Sequence, residues 1–426
     1  MRFTILAYGT RGDVQPYVAL GVALQRTGHT VRLAAPEVFR GLVTGHGLEF
    51  HPLPGDPAAL MQQAADRAGS NLVRFPLVVL QHALPLALDM LDSVREACQG
   101  AEVIVHSLLL TVVGHEMAIE MQVPDFSALI FLTFAPTSAF PAQILPALQL
   151  GGPINRLSHV GFTQLFWQAN RLAYAYLRRK NRQLPPLSGW PFSPRRAHPT
   201  PILYALSPQV IPRPVDWGRD VHLTGYWTLA PDSGWSPPEV LVEFLEAGPA
   251  PVFVGFGSLI TRRAAPLTEA VLEALARTGQ RGLLVRGWGG IEDRKLPDHL
   301  LAVDEVPFEW LFPRMAALVH HGGVGTTAAG LRSGVPAVVV PSTADQPYWG
   351  QRLHRLGVGP PPIPLKRLTV DCLATAIEQL TSDDEMRLRA ARLGWLLRKE
   401  DGVGNAMQVI ERYLGSSDRV VVGQQA

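Results

Sequence analysis

The sequence predicts an α/β protein of two Rossmann-like parallel-sheet domains facing each other across a cleft, and three observations carry that expectation. The chain has 426 residues, more than one hydrophobic core usually organises. Apolar, strand-like runs alternate with helical patterns twice, first from Phe3 and again from Pro251. Between the two series lies a stretch of little periodicity that holds Pro212, Pro214, Pro231, Pro237 and Pro238, which is linker composition. The expected boundaries are 1–215 for the first domain, 216–240 for the linker, 241–395 for the second domain and 396–426 for a C-terminal helix and tail.

The elements follow in order. Phe3 to Ala7 is a continuous apolar run, as a parallel strand buried on both faces requires. Gly9 and Gly12 break it, and Val14 to Arg26 carries a helical apolar face that Gly28 ends. His29 to Ala34 is the next strand, which completes a βαβ unit and makes a parallel sheet its natural product. A strand over AEVIVHSLLL, a helix over Gly114 to Met121 and a strand at Phe126 continue the pattern. In the second half, strands are expected at Pro251–Val254, Gly282–Arg286, Ala317–His320 and Val335–Val340. Helices are expected over Pro266–Arg277, from the glycines after His320 to Arg332, and after Pro347.

Composition removes several function classes. A formal charge of +2, from 38 basic and 36 acidic residues, gives no global pull toward nucleic acid. Cys98 and Cys372 lack neighbours at metal-ligand spacing and are read as buried or half-buried free thiols of a reducing compartment. The first residues run at once into Arg11 and Asp13, too soon for a secretory leader, so a cytoplasmic location is expected. Phe126 to Asn155 has no charged residue, but Pro136, Pro141, Pro146 and Pro153 interrupt it. It reads as a short strand and a Pro-rich loop rather than a membrane span. Residues 151–183 form a basic, aromatic-rich helical stretch with Phe162, Phe166, Trp167 and the Arg178-Arg179-Lys180 run. It suits peripheral contact with a membrane surface, a cover over an apolar pocket, or an ordinary solvated helix.

The densest chemical signal is HHGGVGTTAAG, from His320 to Gly330, which follows an apolar strand and opens a helix. Gly322, Gly323 and Gly325 let backbone amides approach a ligand, and free amides at a helix start favour an anion. Thr326 and Thr327 add hydroxyls, and His320 can donate to a phosphate oxygen. Past the next strand stand Asp345 and Gln346, a carboxylate and an amide able to grip vicinal sugar hydroxyls. Near the N-terminus, GTRGDVQP places Asp13 at about the N-cap of the first helix. Capping alone explains it, yet it also lies at the carboxyl end of the first strand, where a carboxylate can accept a proton from a hydroxyl.

Taken together, GTRGDVQPYVALG, TGYW, PVFVGFGS, VPFEWLFPR, HHGGVGTTAAGL and DQPYWGQR resemble the nucleotide-sugar-dependent glycosyltransferases of the GT-B fold. Their sterol-glucosyltransferase-like branch, related to the enzymes that decorate glycopeptide antibiotics, is the most similar group. The resemblance implies an inverting transfer from a UDP-sugar, expected to be UDP-glucose, to a hydroxyl of a lipophilic small molecule. It implies Asp13 as general base, the His320–Thr327 turn on the diphosphate, and Asp345 and Gln346 on glucose. It also puts Ser258, Thr10 and Arg11 beside the phosphates, and Trp288 and Val306 beside the uracil. No Asp-x-Asp donor motif stands in a cleft position, so neither metal nor other cofactor is expected.

Some residues depart from the family pattern. His106 and Ser107 stand where many relatives keep an Asp to pair with their base. Phe308 replaces a His after Val-Pro, and Ser342-Thr343-Ala344 replaces an aromatic run. A non-catalytic homologue and a sugar-nucleotide epimerase are the alternative readings.

Overall fold

The computed structural model describes all residues except 58, 61–66, 68–73, 144–150, 181–183, 194–199, 231–233, 258–263, 287–294, 305, 343–344 and 424–426. The chain divides into two compact units: Met1–Leu229 with Glu400–Ala426, and Ala230–Lys399. The division falls inside the Pro-rich stretch, and residues from Glu400 onward belong to the first unit.

In the first unit the order is β1 (Arg2–Leu6), α1 (Arg11–Arg26), β2 (Thr30–Pro36), α2 (Arg40–Gly45) and β3 (Glu49–Leu53). There follow α3 (Arg74–Cys98), β4 (Val103–His106), α4 (Thr111–Met121), β5 (Asp125–Leu129), α5 (Gly152–Lys180), β6 (Ile202–Tyr204) and β7 (Val221–Leu223). Its strands form a parallel sheet in the order β3-β2-β1-β4-β5-β6-β7. β1 and β4 are buried almost throughout, which is why their runs are apolar without alternation. The Tyr17 hydroxyl donates to the Ala128 carbonyl at 2.6 Å and ties α1 to the end of β5.

The second unit contains α6 (Glu239–Glu246), β8 (Val252–Gly255), α7 (Ala264–Arg277), β9 (Gly282–Val285), β10 (Leu300–Val303) and α8 (Phe308–Leu311). It continues with β11 (Ala317–His320), α9 (Val324–Ser333), β12 (Ala337–Val339), α10 (Gln346–Arg355), α11 (Val370–Ser382) and α12 (Asp384–Arg398). Its parallel sheet runs β10-β9-β8-β11-β12. Val252, Val254, Val319, Val338, Leu373 and Ile377 build the core between sheet and helices.

A last helix, α13 (Gly402–Gly423), belongs to the first unit. The Asn405 amide donates to the Thr224 carbonyl at 2.9 Å, and the Tyr413 hydroxyl donates to Asp220 at 2.8 Å.

In each sheet the strand order reverses at one place: between β1 and β4 in the first, between β8 and β11 in the second. Ligands of open parallel sheets bind outside the carboxyl ends of strands at such points. The turns after β1 and β11, singled out by their glycines, both lie there.

Candidate active-site residues

After β1 the chain turns through Gly9, whose φ of +147° suits glycine, and a Cβ there would stand 2.5 Å from the Asp13 carboxylate. The N-cap of α1 is Thr10, not Asp13. Asp13 sits three residues on, and its Oδ2 accepts from the Thr10 amide at 2.7 Å and the Thr10 hydroxyl at 2.9 Å. This is a capping box, which satisfies donors at the helix start. Burial pushes the Asp13 carboxyl above its ordinary value, and the two Thr10 hydrogen bonds pull it back only in part. A carboxylate raised in this way is a better proton acceptor than an ordinary surface Asp. Arg11 is exposed, its Nε 3.2 Å from Gln15 Oε1.

His106 and Ser107, where the family pattern has an Asp, lead to a carboxylate that the sequence reading missed. Asp125 Oδ2 lies 2.9 Å from His106 Nε2 and 2.8 Å from His115 Nδ1, and the Thr200 hydroxyl donates to the same oxygen at 3.1 Å. Burial raises the Asp125 carboxyl, but the hydrogen bonds and charges of the two imidazoles outweigh it and hold it well below the ordinary range. An acidic residue opening an otherwise apolar strand, PDFSAL, was the signal for this cluster.

In the second unit, Gly322 has a φ of +92°, and a Cβ there would stand 2.5 Å from Val339 Cγ1, so the turn after β11 admits little else. α9 then starts at Gly323, with no side-chain hydrogen bond on its cap and no acidic residue in its first turn. Its opening amides therefore keep their partial positive charge unanswered by the helix's own side chains. Gly325 is exposed, Thr326 is half-buried and Thr327 is buried.

The two histidines divide differently from the sequence expectation. His320, expected as the phosphate donor, is fully buried, and its Nδ1 accepts from the Gly322 amide at 3.0 Å. Burial, aided by His321, lowers its pKa to about 3, so it stays neutral and props the turn. His321, next along the strand end and therefore on its other side, is half-buried beside Gly257 and the Gly255 carbonyl. It is the imidazole with solvent access, and an adjacent His-His pair was the signal that a choice between them existed.

Asp345 is the N-cap of α10, and its Oδ2 accepts from Trp349 Nε1 at 2.7 Å. Gln346 is buried, and its Oε1 accepts from the Ser342 amide at 2.8 Å and the Ser342 hydroxyl at 3.0 Å. Asp345 is thus oriented by the first turn of α10, and Gln346 by the loop that leads into it. Val306 is buried between β10 and α8. Ser258 and Trp288 lie outside the described residues.

Beyond the carboxyl end of β5, Phe134 gathers Phe166, Trp190 and Phe192 with ring centroids at 4.9, 5.1 and 5.3 Å. Phe162, from α5, stacks on it at 6.4 Å. Cys98 is buried, and its thiol is pushed up to about 12 by burial, whereas Cys372 is exposed rather than half-buried. Among the described residues, no helix is long and apolar enough to cross a membrane.

Residues 3–103 match the glycosyltransferase family 28 N-terminal domain, and residues 289–397 match the erythromycin biosynthesis protein CIII-like C-terminal domain. A sterol 3-beta-glucosyltransferase of Arabidopsis thaliana is 37% identical over 98% of this chain and 66% of its own length. One of Yarrowia lipolytica is 36% identical over 97% of this chain, which spans only 29% of that protein. Among solved structures, the glycosyltransferase VinC in complex with dTDP superposes with a TM-score of 0.65 at 20% identity, over 97% of this chain and 100% of its own. The two parallel sheets and these matches define the glycosyltransferases of the GT-B fold, and the chain is one of them. Within that class it is similar, over nearly its whole length, to the sterol 3-beta-glucosyltransferases.

Proposed function

We propose that the chain is an inverting, metal-independent glycosyltransferase that moves glucose from UDP-glucose to the hydroxyl of a sterol-like lipophilic acceptor. The observation that carries this reading is the start of α9: an uncapped, acid-free first turn at the strand-order reversal of its sheet, beside the half-buried His321. That arrangement suits a diphosphate, whose charge grows as the glycosidic bond breaks, so the same donors stabilise the leaving group more than the bound donor. Thr326, Gly325 and the His321 ring border it. Asp345 and Gln346, held in place by Trp349 and Ser342, are the groups for the glucose hydroxyls.

Asp13 takes the proton of the acceptor hydroxyl as its oxygen attacks the anomeric carbon. Its raised pKa suits that task, and Thr10 holds the carboxylate in one orientation. The ring cluster around Phe134 supplies an apolar wall that matches a flat, lipophilic acceptor, in keeping with the names of the plant and fungal relatives.

The test is incubation of the purified chain with UDP-glucose and a detergent-dispersed sterol, with chelator present, and NMR of the product's anomeric proton. The expected product is the β-glucoside, formed at the same rate with chelator as without. An α-glucoside or a chelator-sensitive rate overturns the mechanism. Conversion of UDP-glucose without acceptor points instead to an epimerase, and no reaction of any kind to a non-catalytic homologue.

A further inference from the structure

Helix α5 leaves a row of large apolar side chains in water. Its inward face carries Asn155, His159, Thr163 and Leu177, all buried, with Phe162 and Phe166 packed on Phe134. Its outward face carries Ile154, Leu157, Leu165 and Leu172, exposed by 52%, 66%, 68% and 73%. Steps of seven and eleven residues return a helix nearly to the same side, so Ile154, Leu165 and Leu172 form one stripe, with Leu157 at its edge. The register is fixed from the inside: the Asn155 amide donates to the Ser138 carbonyl at 3.0 Å, and His159 Nε2 lies 3.0 Å from the Phe140 carbonyl. Rotating the helix to hide its leucines would break both contacts. Leaving such a stripe in water marks an interaction surface.

Charge decides which partner fits. The 29 residues of α5 contain Arg156, Arg171, Arg178, Arg179 and Lys180 and no acidic residue. Arg171, Arg178 and Arg179 line an open groove with Leu172, Pro186 and Leu187. A second copy of the chain would set this basic helix against itself, with no acid to answer it. An anionic lipid surface supplies what both halves of the pattern lack, acyl chains for the leucines and phosphates for the arginines.

We propose that α5 docks on an anionic bilayer, lying in the headgroup boundary with Leu157, Leu165 and Leu172 inward and Arg171, Arg178, Arg179 and Lys180 against lipid phosphates. The helix lies on the bilayer and does not cross it, because its other face is held against the protein by Asn155, His159, Phe162, Phe166 and Leu177. Docking of this kind holds the protein at a membrane whether or not the transfer reaction proposed above is right.

The experiment is flotation of the purified full chain with vesicles of phosphatidylcholine containing about one-third phosphatidylserine, against phosphatidylcholine alone. The chain is expected to bind the anionic vesicles at least about tenfold tighter, with the advantage shrinking as salt rises. The variant L165Q/L172Q is expected to lose roughly 100-fold, about tenfold for each leucine, with its melting temperature unchanged because both side chains are already in water. R178E/R179E is expected to abolish the preference for anionic vesicles. Absence of binding by the parent chain overturns the proposal, as does L165Q/L172Q binding like the parent. So does a parent dimer that the leucine variant dissociates without any vesicle binding by either. Transfer to a detergent-dispersed acceptor, assayed on the same samples, reports on the reaction separately, so failure of one reading leaves the other's result intact.

Discussion

After β1 the chain turns through Gly9 into α1, and after β11 it turns through Gly322 into α9, each where its own sheet reverses strand order. The backbone problem is the same in both, and the helix starts are finished in opposite ways. On α1 the third helical residue is Asp13, whose carboxylate folds back on Thr10. On α9 the third helical residue is Thr326, the cap is Gly323, and among the described residues the helix has no side-chain cap and no acid in its first turn. One helix start thus spends its dipole on an acid of its own, and the other keeps it for an anion from outside. In the proposed roles, the carboxylate at that third position is the proton acceptor, and the hydroxyl there leaves the helix start open to the donor's diphosphate.

The sharpest way to break this comparison is Asp13→Asn. Asparagine keeps an oxygen for the Thr10 amide, so folding and UDP binding should persist. Transfer to an alcohol should fall by roughly 10²–10⁴. A nitrophenol acceptor, already acidic, should lose much less, and equal losses on both would reduce Asp13 to a capping residue. Next in size is Thr326→Asp, which rebuilds on α9 the third-position acid of α1. Calorimetric titration should show UDP-glucose affinity reduced by about 10–100-fold, with helix stability unchanged or slightly raised. Undiminished affinity would place the diphosphate elsewhere.

The two histidines sharpen the same contrast. His320→Ala should cost about 2–4 kcal/mol in chemical denaturation, since it leaves a cavity and an unpaired Gly322 amide. His321→Ala should cost under about 1 kcal/mol yet slow turnover by roughly tenfold. The reverse pattern would restore His320 as the phosphate donor. The smallest effect concerns pH. Burial raises the Asp13 carboxyl, so its protonated form persists to higher pH than in a free Asp, and the base form is lost as pH falls through that raised value. The acid limb of transfer to an alcohol should therefore lie above the ordinary Asp range, and Asp13→Asn should flatten it.

What the sequence made legible is what local rules govern. Ala317–His320 was read to the residue, and β1, α1, β4, β5 and β8 to within a few residues, because buried parallel strands carry unbroken apolar runs bounded by glycine. β3, β6, β7 and β10 went unread: short strands such as Ile202–Tyr204 have too few residues to show a period, and only the neighbouring strand makes them strands. The site residues were found at the turns, but their partners were not. That His320 is buried and His321 is half-buried depends on what packs over each side of the strand end, which the strand's own residues do not show. The link from Asp125 to His106 spans 19 residues and exists only once β4 and β5 pair.

The return of α13 to the first unit makes that unit discontinuous, while residues 230–399 form an uninterrupted one. During synthesis the second unit has every residue it needs before Glu400 has been added, and it can fold as soon as it clears the ribosome. The first unit must wait. Tyr17 and Trp227 can already meet, but Phe126 lacks Tyr413 against its ring, and Thr224 lacks Asn405 on its carbonyl, until the last helix is made. The half of the chain made first is therefore finished last.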